Sequence, residues 1–319
     1  MLSRFVSFLY ECNFAKFLIY SFMLREKQVV SILNKHKKRD DWFLTDYSAN
    51  PYEGCSCNCL YCYIRGSKYG ENMSDHLSIK TNALEVFEKQ LRNRAKKNQY
   101  GFIAVGSATD AYIQHEEKYE LTRGFLELIL KYRFPVFIST KRHLIKRDVS
   151  ILRKIDKAAI LPDDLKSTLQ RGVILSVSIS TMNEVITNML EPGAIRPLER
   201  LKLLEELKSE GFLTGVNAIP ILPYISDTDE ELEKIVTSSK EHKADYILIG
   251  GLTLLGNGIA DSKTLYYKFL EKYDQSLVTA YEHLYVDNFY TPRSYQNALA
   301  GKAKKLCAKH QIRTTIVEL

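Results

Sequence analysis

Apolar runs and helical periodicity alternate along most of this chain. Residues 82–97 place Leu84, Phe87 and Leu91 on one side and Lys89, Arg92, Lys96 and Lys97 largely elsewhere, which predicts an amphipathic helix. A short strand near Leu77–Lys80 precedes it. From Phe102 onward the alternation is regular. Strands are expected at Phe102–Gly106, Pro135–Thr140, Gly172–Ser180, Leu213–Ile219 and Tyr246–Gly250. Helices are expected between them at about 117–132, 144–155, 196–210 and 228–241, and after them at 262–273 and 275–284. Apolar strands alternating with amphipathic helices predict an α/β fold, a parallel sheet with right-handed crossovers. Roughly six such units predict a partial (β/α)6 barrel of TIM type, although periodicity alone does not separate this from a doubly wound sheet. The segment from about Ser294 reads as an added helix and strand covering the barrel, and Ile155–Arg171 as a linker or insertion.

The domain reading is an N-terminal extension at 1–40, a barrel core at 41–260 and a C-terminal helical and strand extension at 261–319. With 319 residues, 45% of them hydrophobic, the chain is long enough for one α/β barrel. The first 22 residues are apolar and aromatic but interrupted by Arg4, Glu11, Asn13 and Lys16. No run there reaches the roughly 18 residues of a membrane span, so no stable membrane insertion is expected. Translation from Met23 is the favoured account of this stretch. A net charge of +7 permits a polyanionic partner without demanding one. Basic segments at 89–97, 141–154 and 302–313 could face phosphate.

Four of the six cysteines fall within eight residues, in Asn50-Pro51-Tyr52-Glu53-Gly54-Cys55-Ser56-Cys57-Asn58-Cys59-Leu60-Tyr61-Cys62-Tyr63. Cys12 and Cys307 stand alone, so there is no disulfide framework and a reducing, cytoplasmic setting fits best. Read as Cys55-x3-Cys59-x2-Cys62, the run offers three thiolates to cap three corners of an iron–sulfur cube. The fourth iron would lack a protein ligand and could bind a substrate or cofactor, which points to catalysis. Gly54 and Asn58 suit a tightly wrapped loop because both tolerate left-handed backbone. A competing reading makes Cys55, Cys57, Cys59 and Cys62 one cramped four-thiolate zinc site, in a binding module that contacts nucleic acid through its basic faces. The seven histidines show no i, i+4 pair and read as surface or core residues.

The longer string, with Tyr61 before the last cysteine and Tyr63 after it, resembles the radical S-adenosylmethionine superfamily, and within it the spore photoproduct lyase-like branch. The resemblance runs from about Tyr47 to Gly256. It implies that Cys55, Cys59 and Cys62 hold a 4Fe–4S cluster whose open iron chelates S-adenosylmethionine. Cys57 departs from the branch, where many relatives carry His; it is either a bystander thiol, the favoured reading, or a competitor for iron. The resemblance also implies reductive cleavage of that cofactor to a 5′-deoxyadenosyl radical that abstracts hydrogen from a substrate. A reductant protein such as flavodoxin or ferredoxin follows as a partner, and a partial barrel as the fold.

Parallel barrels carry their working groups at the C-terminal ends of strands, and the remaining motifs fall there. The resemblance makes Gly106 and Ser107, in Gly106-Ser107-Ala108-Thr109-Asp110, the backbone that meets the amino group of S-adenosylmethionine. The other reading is a turn in which Thr109 or Asp110 caps the next helix. Lys141 is expected to neutralise the cofactor carboxylate. Ser176, Ser178 and Ser180 share one strand face. Ser178 matches the branch's cofactor-binding serine, Asn217 is placed near the same ribose, and Tyr61 is counted with them as cofactor-binding. Gly250–Gly258 lacks the Lys-Ser/Thr of a P-loop and fits a barrel loop near the adenine. Glu191-Pro192-Gly193 resembles a recurrent turn of the branch. Ser107 stands where the lyase carries its hydrogen-donating cysteine, and a hydroxyl is a far poorer donor than a thiol. The resemblance therefore carries the cofactor chemistry and leaves the substrate open between nucleic acid and a peptide or small molecule.

Overall fold

A computed structural model describes residues 23–70, 76–286 and 288–317. Residues 1–22, and with them Cys12 and most of the expected N-terminal extension, lie outside the described residues, as do Glu71 and Asn72. The larger sheet has seven strands in the order β10-β9-β8-β7-β6-β3-β2. These are β2 (Asn34–Lys35), β3 (Thr45–Ala49), β6 (Phe102–Val105), β7 (Val136–Thr140), β8 (Val173–Ser178), β9 (Leu213–Ala218) and β10 (Tyr246–Ile249). Every pairing from β3 to β10 is parallel, and only β2 runs antiparallel at the edge. The six parallel strands form the partial (β/α)6 barrel that the alternation predicts.

Alternate residues of each strand feed two cores. Ile103, Val105, Val136, Ile138, Leu175, Val177 and Val216 face outward against the helices. Phe102, Phe137, Ile174, Tyr246 and Leu248 face inward, where Leu44, Leu165, Leu169, Ile316 and Val317 join them. The segment read as a linker thus fills the barrel interior through Leu165 and Leu169, ahead of β8. The helices are α1 (Ala83–Ala95), α2 (Glu116–Tyr119), α3 (Leu121–Tyr132), α4 (Val149–Ala158), α5 (Glu184–Leu190), α6 (Pro197–Ser209), α7 (Asp229–Glu241), α8 (Ser262–Tyr273), α9 (Ser276–Leu284) and α10 (Arg293–Lys309). Phe87 of α1 stacks on Phe125 of α3 with centroids 4.3 Å apart. The hydroxyl of Thr228 accepts from Glu231 N, and three acidic residues fill the first turn of α7, where they meet the positive end of its dipole.

The structure corrects four expectations. The strand at Leu77–Lys80 exists as β5 (His76–Lys80), but in a separate three-stranded sheet between β1 (Met23–Lys27) and β4 (Tyr52–Glu53). The first barrel strand is instead β3, just before the cysteine loop. The helix expected at 117–132 is broken at Glu120, which is left-handed with φ 49°. The break comes from Glu116, whose buried carboxylate accepts from the amides of Thr122 and Arg123 and so caps α3. The expected helix at 144–155 starts as a 3-10 turn over His143–Asp148 and becomes α-helical only at Val149. After α10 no strand forms among the described residues; Arg313 makes one isolated bridge to Tyr246.

Candidate active site

The cysteine loop follows β4 and lies across the C-terminal ends of the barrel strands. Gly54 and Asn58 are both left-handed, with φ 84° and 51°, which wraps the loop tightly. Cys57 and Cys59 are buried, Cys55 and Cys62 half-buried. The amide of Asp110, in the loop after β6, donates to the sulfur of Cys55 at 3.4 Å. The Cys57 sulfur lies within hydrogen-bond reach of the Asp110 carboxylate, at 3.7 Å. Hydrogen bonding from Cys57 pulls the Cys55 thiol down to about 6, while the same contact and burial push Cys57 up. Burial also raises Cys59 and Cys62.

Among the described residues no three His, Cys, Asp or Glu side chains converge to hold one metal ion. A cubane asks for something else, one thiolate per iron on separate corners. Three thiols spread along a wrapped loop, one already receiving an amide N–H, fit such a cluster.

Behind the loop lies a buried charge network that the motifs barely hint at. Tyr61 donates to Glu191, and Arg200 of α6 donates to the other oxygen of that carboxylate. Ser180 donates to the Tyr61 hydroxyl at 2.9 Å, and Arg200 also donates to Ser178 O at 2.8 Å and Ile195 O at 2.7 Å. Burial alone would raise the Glu191 pKa, but Arg200 and Lys141 outweigh it and hold the carboxyl below its ordinary range. Burial opposes charge on Lys141 as well, but neighbouring acidic groups, Glu191 among them, outweigh it and raise its pKa. Lys141 Nζ donates to Ser178 Oγ at 2.9 Å. Lys141 and Ser178, from adjacent strands, therefore share one polar corner beside Cys59.

Asp110 does not cap a helix, because no side chain caps α2. Its carboxylate accepts instead from Thr140 Oγ1, Lys141 N and Tyr112 N, each at 2.8 Å, and so joins the β6 loop to the end of β7. Gly106 closes β6 with φ 83°, and a Cβ there would meet Ala111 N at 2.6 Å. The Ser107 hydroxyl accepts from Asn50 Nδ2 at 3.2 Å and its carbonyl from Tyr63 at 2.9 Å. Asn217 faces the barrel interior, with Nδ2 donating to Ser139 Oγ at 3.0 Å. Its buried Oδ1 has no hydrogen-bond partner among the described residues. Arg65, fully buried, donates to Cys59 O and Asn58 Oδ1 and ties the loop to Ala260 O.

The Glu191-Pro192-Gly193 turn docks directly on the cysteine loop. Leu60 N donates to Leu190 O at 2.8 Å and Gly193 N to Cys57 O at 3.0 Å. A Cβ on Gly193 would stand 1.9 Å from Ser56 O, so only glycine permits this approach. Gly193→Ala is expected to cost about 1–3 kcal/mol by overpacking against backbone, read as a fall in the urea midpoint at constant slope. An unshifted midpoint would show that the loop yields freely.

The basic segments are less available than their composition suggests. Lys146 pairs with Glu206, Arg147 with Glu116 and Asp148, and Arg153 with Glu210. Arg92 is bonded to Glu88, and Lys302 and Lys309 to Asp229 and Glu233. Arg293, Lys304 and Lys305 are exposed and have no acidic partner among the described residues.

A family model described as the radical SAM superfamily matches residues 49–238, more than half of the chain. An uncharacterised protein of Mycobacterium tuberculosis is 26% identical over 272 residues, covering 83% of this chain and 75% of that protein. A radical SAM Nα-GlyT isomerase of Pseudomonas phage M6 is 23% identical over 182 residues, covering 56% of this chain and 34% of that one. Among solved structures, a spore photoproduct lyase variant with bound AdoMet and dinucleoside spore photoproduct superposes with a TM-score of 0.62 at 11% identity. That match covers 90% of this chain and 78% of the other, and at such identity it is a likeness of fold. No helix among the described residues is long and apolar enough to cross a membrane.

Proposed function

The chain belongs to the radical SAM superfamily and is an enzyme of that type, and from this premise we propose that Cys55, Cys59 and Cys62 each hold one iron of a 4Fe–4S cluster. When bound, that cluster with S-adenosylmethionine supplies reductive cleavage of the cofactor and a 5′-deoxyadenosyl radical that takes hydrogen from a substrate. Lys141 is the observation that carries the reading. Just past the end of β7, its Nζ donates to Ser178 Oγ at 2.9 Å and to no carboxylate among the described residues. Such a group binds the cofactor carboxylate and fixes the methionine end next to the cluster loop. Gly106 and Ser107 offer backbone to the amino group, and Ser178 with the open Oδ1 of Asn217 offers partners to the ribose. Tyr61 acts from behind: its hydroxyl is committed to Glu191, so its ring is held rigidly against the loop. Cys57 stays a bystander, its sulfur within hydrogen-bond reach of Asp110.

The substrate reading is nucleic acid. Support comes from the net charge of +7, from exposed cations on α10, and from fold neighbours solved with a dinucleoside lesion. Ser107 in place of a thiol leaves photoproduct repair itself outside the proposal. A flavodoxin- or ferredoxin-type donor would supply the electron.

Anaerobic reconstitution followed by reduction with S-adenosylmethionine tests the cofactor chemistry, with 5′-deoxyadenosine as the product to measure. Deuterium transfer into it from labelled oligonucleotides tests the substrate. Lys141→Ala is expected to weaken S-adenosylmethionine binding by about tenfold to a hundredfold, the size of one lost charge-assisted hydrogen bond. Equilibrium binding in which Lys141→Ala matches the parent would remove Lys141 from the site.

A further inference from the structure

The barrel is open between β10 and the β2–β3 edge. Near its start β10 is covered, since Ile247 N donates to Arg313 O at 2.8 Å. Just past its end, Gly250 and Gly251 form a ribbon without side chains, and two distant parts of the chain rest on it. A Cβ at Gly250 would stand 3.4 Å from Cη2 and Cζ3 of Trp42 and 3.2 Å from Cγ1 of Ile219. A Cβ at Gly251 would meet Thr291 Oγ1 at 3.0 Å. Beside Thr291, Tyr290 bridges to Thr253 and Phe289 O accepts from Leu254 N at 2.7 Å. The Phe289 and Tyr290 rings meet edge to face with centroids 5.0 Å apart.

Three large aromatic residues thus lie along the chain just past β10, Trp42 at Gly250 and Phe289 and Tyr290 beside Leu254 and Thr253, and each stays about half open: Trp42 47%, Phe289 51% and Tyr290 45% exposed. Trp42 is held out deliberately. Asp40 Oδ1 accepts from the amides of Trp42 and Phe43, which fixes the turn that presents the ring. Ile219, which meets Gly250 as Trp42 does, follows the end of β9, the strand that carries Asn217. Cations flank the aromatics on both sides. From Asn288 to Val317 the chain has six Lys or Arg and no Asp or Glu. Before Trp42, Lys35 and Lys37 are exposed without an acidic partner among the described residues.

We propose that this aromatic stretch is a stacking platform for unpaired bases, with Trp42 taking one base on its open side and the Phe289–Tyr290 pair its neighbour. Arg293, Lys304 and Lys305 on one flank and Lys35 and Lys37 on the other face the phosphates. Aromatic faces within a cationic track are the usual means of holding single strands, because every base has a stackable face. A duplex keeps those faces covered, so the partner is single-stranded nucleic acid. This deepens the nucleic-acid reading above and rests on it.

Trp42 is the only tryptophan, so its emission reports the platform directly. Anaerobic holoprotein, with neither S-adenosylmethionine nor reductant, is titrated with a single-stranded oligonucleotide of roughly 12 nucleotides. Quenching is expected, weaker for the same sequence as a duplex and weaker at high salt. By anisotropy of a labelled strand, Trp42→Ala and Phe289→Ala should each bind about tenfold more weakly, and Trp42→Phe should recover most of the loss. No quenching, equal binding by Phe289→Ala, equal affinity for duplex, or quenching by an aromatic peptide alone would each overturn the platform. Because binding is read without cofactor turnover, protein that yields 5′-deoxyadenosine but ignores the strand fails the platform alone. Protein that binds the strand but cleaves no S-adenosylmethionine fails the function reading instead.

Discussion

Cys59→Ala protein, purified and reconstituted without oxygen, is expected to be colourless and to form no 5′-deoxyadenosine above background, whereas Cys57→Ala stays brown and active. The two thiols are two residues apart and both buried, so exposure cannot separate them. Their partners can. The Cys57 sulfur lies within hydrogen-bond reach of the Asp110 carboxylate and of Cys55, and its carbonyl accepts from Gly193 N, which fills a structural role already. The Cys59 thiol makes no such hydrogen bond among the described residues; burial pushes it up, and the nearby Lys141 opposes that shift only in part. Three thiolates are the fewest that can grip a cube and leave one iron open, so the loss of one should bleach the sulfur-to-iron absorption. The reverse pattern, with colour lost at Cys57 and kept at Cys59, would reassign the ligands. Stoichiometric zinc without colour in the parent protein would return the four-thiolate reading.

The parts of this molecule legible in sequence are those in which apolar pattern and buried face coincide. Strands β6 to β10 carry Val, Ile and Leu on the face that packs on helices and Phe102, Phe137, Ile174 and Tyr246 on the other, and these apolar runs announce them. Strand β3 is different. Thr45-Asp46-Tyr47-Ser48-Ala49 alternates buried and half-buried positions, but the inward set is polar because Asp46 binds Arg39 and the amide of Phe102. Its pattern does not announce a strand for that reason. The cysteines, Lys141, Ser178 and Asn217 draw notice in the sequence because motif and strand end coincide, and their roles remain proposals. Glu191 and Arg200 do not draw notice, except as a turn and a helix charge. A carboxylate and a guanidinium paired nine positions apart look solvated in sequence, and only the packing of α5 and α6 over the cysteine loop shows that water is absent.

Arg200→Met should be the most destabilising single change outside the cysteines. Arg200 is 0% and Glu191 2% exposed at the side chain, so removing the guanidinium strands a carboxylate in a desolvated site. Breaking a buried pair from one side costs about 3–5 kcal/mol, much of it the penalty of the orphaned charge. Restoring neutrality should recover part of that, so Arg200→Met with Glu191→Gln is expected to unfold later than Arg200→Met alone, in a thermal melt or urea titration. The two changes share one contact and will not add. A functional sign accompanies the stability sign. With Arg200 present, Glu191 is neutralised and Lys141 is left for the cofactor carboxylate; without it, Lys141 is the nearest remaining cation and is drawn toward Glu191. Arg200→Met should therefore weaken S-adenosylmethionine binding in the fraction that remains folded, and Glu191→Gln should restore it. If Arg200→Met melts with the parent, or if the double variant binds the cofactor no better than the single, the buried pair neither supports the fold nor frees Lys141.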